Sequence, residues 1–106
     1  MKFLKKLFGS NTPDFKKLLG KGALVIDVRS PSEYLSGHIE GSINIPLNKI
    51  QDELAGIREK AQVVITVCRS GARSSSAQSI LLSVGIEAYN GGPWEALKKK
   101  IGIRAV

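Results

Sequence analysis

Cys68 is the only cysteine in the 106-residue chain, and its neighbours are of the kind that activate a thiol. It follows Gln62-Val63-Val64-Ile65-Thr66-Val67, an apolar, β-branched stretch that predicts a buried strand. It precedes Arg69-Ser70-Gly71-Ala72-Arg73-Ser74, a loop of small residues and two arginines, and a helical pattern runs from Ser74 to Val84. Strand, thiol, tight loop and helix start together aim backbone N–H groups and a positive helix end at one sulfur. A free thiol titrates near pH ~8.5, and a reactive one at about 3.5–7.5. A helix dipole supplies about 0.3–1 kcal/mol when exposed and ~2 at best. One pKa unit is about 1.4 kcal/mol, so the dipole alone moves the thiol by about one unit. The rest must come from the loop amides and from Arg69 and Arg73. Gly71 lets the loop curl so that its amides converge, while Ala72 and the serines leave the mouth open. The alternative is a small buried hydrophobe at a strand end.

The elements that must position this thiol follow from the rest of the pattern. Thr12 and Pro13 suit a helix start, with Phe15, Leu18 and Leu19 as its apolar face. Ala23–Val28 is an apolar run of strand length. Ser30-Pro31-Ser32-Glu33 is a capping box that opens a short helix. Ser42–Pro46 is short and extended, and Leu47, Ile50, Leu54 and Ile57 mark a helix over 47–57. Ala77, Ile80, Leu81 and Val84 face inward on the helix after Cys68. Ile86–Tyr89 is a last strand, Asn90–Pro93 a turn, and Trp94 begins a final helix. Strands alternating with helices predict an α/β fold with a mostly parallel sheet, and sites in such sheets lie beyond the carboxyl ends of strands.

The composition bounds the function. Hydrophobic residues at 42% and charged residues at 24% describe a folded domain, with residues 12–106 as a single unit. One Cys and one His exclude a disulfide framework and a metal cluster, so no cofactor is expected. The net charge of +7 sits at the ends. Residues 1–22 carry +5, residues 95–106 carry +3, and the body between them carries −1. No nucleic-acid-reading pattern accompanies the lysines. Residues 1–11 form a basic amphipathic segment, with Phe3, Leu4, Leu7 and Phe8 against Lys2, Lys5 and Lys6. It is too short to span a bilayer and lacks a signal peptide's apolar core; it suits either an anionic surface or a terminal turn. The expectation is a cytoplasmic monomer.

Three motifs carry a family resemblance. Cys68–Ser74 resembles the active-site loop of the rhodanese-like sulfurtransferases. Leu24-Val25-Ile26-Asp27-Val28-Arg29 with Glu33-Tyr34 and Gly37–Pro46 resembles the family's N-terminal signature, and Tyr89–Trp94 its C-terminal one. The resemblance implies a single-domain rhodanese fold, a central parallel sheet with helices on both faces. It also implies sulfur relay. Cys68 would take sulfane sulfur from a donor such as thiosulfate as a persulfide, and pass it to cyanide, a thiol or a protein acceptor. Arg69, Ser70, Gly71, Ala72, Arg73 and Ser74 would bind the donor, their amides holding the anions and the two arginines attracting charge. Phosphatases of related fold place one residue more before the loop arginine, and phosphatase or arsenate reductase activity is the disfavoured alternative. Here four residues separate Cys68 from Arg73, a ring better sized for sulfur. A persulfide-carrying module that serves a protein partner, with little turnover on small donors, is the second reading.

The remaining polar residues read as framework. His38 sits in a structural turn of the resembled family, with a catalytic base as the alternative. Asp27 holds neighbouring loops and Arg29 pairs with an acid such as Glu33. Trp94 is core or a lid over the helix ends. Lys98–Lys100 are a solvated helix end or a docking patch for an acidic partner.

Overall fold

A computed structural model describes residues 13–106. The Thr12 cap and the amphipathic segment 1–11 lie outside the described residues. The elements run α1 (Phe15–Gly20), β1 (Leu24–Asp27), α2 (Pro31–Leu35), β2 (Ile43–Asn44), a 3-10 segment (Leu47–Glu53), α3 (Leu54–Lys60), β3 (Val63–Cys68), α4 (Ala72–Ser83), β4 (Glu87–Pro93) and α5 (Trp94–Ile101). The four strands form one parallel sheet in the order β2-β1-β3-β4.

Strand alternation splits the core into two layers. Val64 and Cys68 of β3 point to the face that also buries Ile26, Val28, Ile50, Ile57, Ala77 and Leu81, so the 3-10 segment, α3 and α4 cover that side. Ile65 and Val67 point to the other face, against Phe15, Val25, Leu97 and Ile101, which α1 and α5 cover. The continuous Val63–Cys68 run is thus apolar because both sides of the central strand are buried.

Several boundaries differ from the sequence reading. Asp14, not Thr12, caps α1, accepting a hydrogen bond from the Lys17 amide at 3.1 Å, and Pro13 precedes the helix. The 47–57 helix begins as a 3-10 segment, because Pro46 enters it in an extended conformation with no side-chain cap to set an α turn. α4 begins at Ala72 rather than Ser74, which tightens the loop after Cys68. Val84 lies past its end and is exposed. The predicted turn Asn90–Pro93 is instead the second half of β4. Its pairing with β3 shifts between Thr66 and Val67. A Cβ at Gly91 would stand 2.9 Å from Ile65 Cγ2, 3.0 Å from the Thr66 carbonyl oxygen and 3.0 Å from Val67 Cγ1. Gly91 is therefore what lets the two strands close on each other. No described helix is long and apolar enough to cross a membrane.

Candidate active site

β3 ends on Cys68, and the chain turns at once into α4. Gly71 makes the turn in the left-handed region at φ +107°, a conformation an L side chain resists. This swings the Gly71 amide to 2.9 Å from Cys68 Sγ, and the Ser74 amide in the first turn of α4 donates at 3.4 Å. Ser74 Oγ lies 3.3 Å from the same sulfur. The loop is a cup with the sulfur at its floor. Burial pushes the thiol up. The Ser74 side chain and the amides of Ser74, Gly71 and Ser70 outweigh it and leave the Cys68 pKa below its ordinary value.

The mouth is narrower than the sequence implied. Cys68 has 0% exposure, so the sulfur lies beneath the loop rather than at an open mouth. Arg69, Ser70 and Ala72 are exposed on its rim, Gly71 and Ser74 bind the sulfur, and Arg73 is turned aside. Its guanidinium clasps Glu33 through Nη1–Oε1 at 2.8 Å and Nη2–Oε2 at 3.0 Å. Glu33 belongs to the α2 capping box, whose Ser30 amide donates to Oε1 at 3.0 Å while the Glu33 amide donates to Ser30 Oγ at 3.3 Å. The predicted Arg29–Glu33 pair does not form. Arg29 clamps Asp27 instead, with Nε–Oδ1 at 2.9 Å and Nη2–Oδ2 at 2.8 Å, because residues two apart on an extended chain share a side.

Arg73 holds the Glu33 carboxyl down to about 2, with the Ser30 amide helping. A depressed carboxyl stabilises the fold above its unfolded pKa, and that stabilisation fades as pH falls from about 4.5 toward about 2. Both side chains are about a third exposed, which limits the pair to about 1 kcal/mol. Glu33→Gln is expected to cost that much at pH 6, and the difference from wild type in urea unfolding should vanish toward pH 2. A difference independent of pH would place the effect elsewhere.

Asn90, read from the sequence as part of a turn, completes the cup. Its Oδ1 accepts from Ser74 Oγ at 2.6 Å and from the Gly92 amide at 2.8 Å, and its Nδ2 donates to the Gly71 carbonyl at 3.2 Å. One side chain thus fixes both residues that hold the sulfur. An asparagine followed by a glycine pair at a strand end was the available signal, and it reads equally as a turn. Ser74 has one hydroxyl proton, which Asn90 Oδ1, the Gly71 carbonyl and a Cys68 thiolate compete for. An aspartate at position 90 would lose the bond to Gly71 and put a negative charge within about 6 Å of the sulfur, worth ~2–3 kcal/mol at an effective dielectric of 20, or about 2 pKa units. Asn90→Asp is expected to move the pH midpoint of Cys68 alkylation up by about 2 units. An unmoved midpoint would remove Asn90 from the site.

His38 is framework: its Nδ1 lies 2.8 Å from the Tyr34 carbonyl and its ring stacks on Tyr34 at 3.7 Å. Trp94 packs under the Arg29 guanidinium, 4.7 Å from the ring centroid. Among the described residues no group of three metal-ligating side chains comes together.

A parallel α/β domain whose central strand ends in a cysteine cupped by loop amides defines the class: a thiol held by backbone donors at the carboxyl edge of the sheet. The Rhodanese-like domain family matches residues 11–99, and the chain belongs to that family. It is 38% identical over 61 residues to thiosulfate sulfurtransferase PspE of Escherichia coli (strain K12), covering 57% of this chain and 59% of that protein. It is 36% identical over 87 residues to the thiosulfate:glutathione sulfurtransferase of Saccharomyces cerevisiae, covering 68% of this chain and 63% of that one. The chain thus spans about three fifths of the length of both relatives. A solved rhodanese with anions from E. coli superposes with a TM-score of 0.68 at 32% identity, over 80% of this chain and 98% of that one.

Proposed function

We propose that residues 12–106 form one sulfurtransferase domain that relays sulfane sulfur through a persulfide on Cys68. The observation that carries this reading is the convergence of the Gly71 and Ser74 amides on Cys68 Sγ at 2.9 and 3.4 Å. Those donors favour the thiolate and, after transfer, the charge on a persulfide. The Cys68 thiolate attacks the outer sulfur of thiosulfate. The S–S bond of the donor breaks, sulfite leaves with the electron pair, and Cys68 carries the new S–S bond. An acceptor such as cyanide or a thiolate attacks the terminal sulfur, and Cys68 leaves as thiolate. A working thiolate with no partner cysteine fits a reducing compartment, in line with a cytoplasmic site of action.

The fully buried sulfur favours one second reading, a persulfide carrier whose loop opens only on a cognate protein. Intact mass after thiosulfate treatment tests the relay. The reduced protein is expected to gain one sulfur atom and to lose it on adding cyanide. Protein that gains no sulfur from thiosulfate but gains one from a protein persulfide would support the carrier, and a gain from neither would overturn both.

A further inference from the structure

The fold brings onto one face the positive charge that the sequence divides between its two ends. α1 and α5 cover the same layer of the core, where Phe15, Leu97 and Ile101 are buried in one cluster with Leu18 and Leu19 packed against it. What the two helices turn outward is lysine. Lys16, Lys17 and Lys21 are exposed on and just past α1, and Lys99 and Lys100 on α5, with Lys98 half-buried beside them. Lys100 reaches across from α5 to α1, its Nζ lying 5.9 Å from the centroid of the Phe15 ring. Among the described residues none of these lysines forms an ion pair. The carboxylates on the two helices are Asp14, engaged as the α1 cap, and Glu95, while Arg104 is already matched by Glu40. The end of α5 offers its lysines about half a negative charge, which offsets only a fraction of theirs.

A lysine face of this kind fits a polyanionic surface. Nucleic acid is the poorer match. α1 and α5 carry no arginine fork for a phosphate, and the rings of Phe15 and Trp94 are taken up by the core and by Arg29 rather than presented for stacking. The chain leading into α1 favours lipid over an acidic protein. Residues 1–11 carry Phe3, Leu4, Leu7 and Phe8 among Lys2, Lys5 and Lys6. Apolar side chains interleaved with lysines gain most at the headgroup boundary of a bilayer, where a basic patch and buried apolar area together make an attachment that neither makes alone.

We propose that the α1–α5 face docks on an anionic membrane surface, with residues 1–11 adding apolar side chains at the same contact. Cys68 belongs to the opposite layer of the core, so docking by this face leaves the sulfur loop in water. The attachment is independent of the sulfur chemistry and places that chemistry beside a membrane.

The test is co-sedimentation of the full chain with vesicles of phosphatidylcholine doped with phosphatidylglycerol, against pure phosphatidylcholine, at about 0.1 M salt. Binding is expected only to the anionic vesicles. A lysine near an anionic leaflet is worth about a fivefold change in affinity, so Lys16→Gln/Lys99→Gln/Lys100→Gln should weaken binding about a hundredfold. Those three side chains are exposed, and sulfur gain on Cys68 should be unchanged in the variant. Lys49→Gln removes an exposed lysine from the 3-10 segment over the other layer and should bind as the wild type does. Phe3→Ser/Phe8→Ser should weaken vesicle binding and leave retention by soluble polyglutamate as it was. Equal binding to both kinds of vesicle, or a loss in Lys49→Gln as large as that from the triple variant, would overturn the face. Polyglutamate held more tightly than anionic vesicles at matched charge would replace the membrane with an acidic protein partner.

Discussion

Cys68→Ser is expected to gain no sulfur from thiosulfate, under conditions where the wild type gains one atom per chain, and to stay folded. A serine hydroxyl is too weakly acidic to ionise at the cup floor, and oxygen forms no stable counterpart of the persulfide. The loss of transfer should therefore be complete rather than partial. The fold should barely notice, because a serine oxygen still accepts from the Gly71 and Ser74 amides that now reach Sγ. Keeping those donors paired limits the cost to about 1 kcal/mol. Cys68→Ala makes the contrast, since it leaves the buried Ser74 amide and the part-buried Gly71 amide without the sulfur, at about 1–3 kcal/mol for a buried group left unpaired. Urea unfolding of the two variants side by side checks this ordering. An alanine variant as stable as the serine variant would mean that the amides do not hold the sulfur. Sulfur gain in the serine variant would move the chemistry to another residue.

The strand and loop around Cys68 were legible because they are local. A β-branched run, a cysteine, a glycine and a helix pattern follow one another without a break, so geometry and sequence order coincide around Cys68. The same holds for the Ser30–Glu33 capping box, whose two hydrogen bonds close over three residues. The partners of Arg73 and Arg29 were harder. Glu33 is forty positions from Arg73, and nothing in the local pattern says that α2 will lie against the start of α4. The Asp27–Arg29 clamp was readable in principle from the two-residue period of a strand, but charge alone favours any nearby carboxylate. Asn90 and Gly91 show the deeper limit. Asparagine and glycine suit a turn by propensity. What keeps them in β4 is the close approach of β3, with Ile65, Thr66 and Val67 occupying the space a side chain at Gly91 would need. That constraint exists only once the sheet is assembled. The open mouth expected from small residues was likewise overturned by assembly, because α4 begins two residues early and Asn90 pulls Gly71 and Ser74 inward.

Arg29→Met is expected to be the most destabilising of these single changes. Asp27 is 0% exposed and Arg29 4%, and the pair sits on the last turn of chain before α2. The guanidinium spans both carboxylate oxygens, donates to the Gly37 carbonyl at 2.7 Å and covers the Trp94 ring. Methionine keeps much of the length and the contact with Trp94 but removes the charge. The Asp27 carboxylate is then left with the backbone amide of residue 29 as its remaining donor, now 3.0 Å away. Breaking a buried pair from one side costs about 3–5 kcal/mol, a large share of the ~5–15 kcal/mol that holds a domain together. The double variant Asp27→Asn/Arg29→Met removes the stranded charge and should recover most of the loss, which separates an electrostatic cost from simple loss of packing. If the double variant is no better than the single one, the role of Arg29 is steric. The effect should also reach the sulfur. Asn44 donates to the carbonyls of both Asp27 and Arg29, at 3.0 and 2.9 Å, and so fixes where Ser30 begins α2. Ser30 orients Glu33, and Glu33 holds the side chain of Arg73, the second residue of α4, against α2. A folded fraction of Arg29→Met that loads sulfur more slowly than wild type would show that the buried pair governs the loop through this chain of contacts.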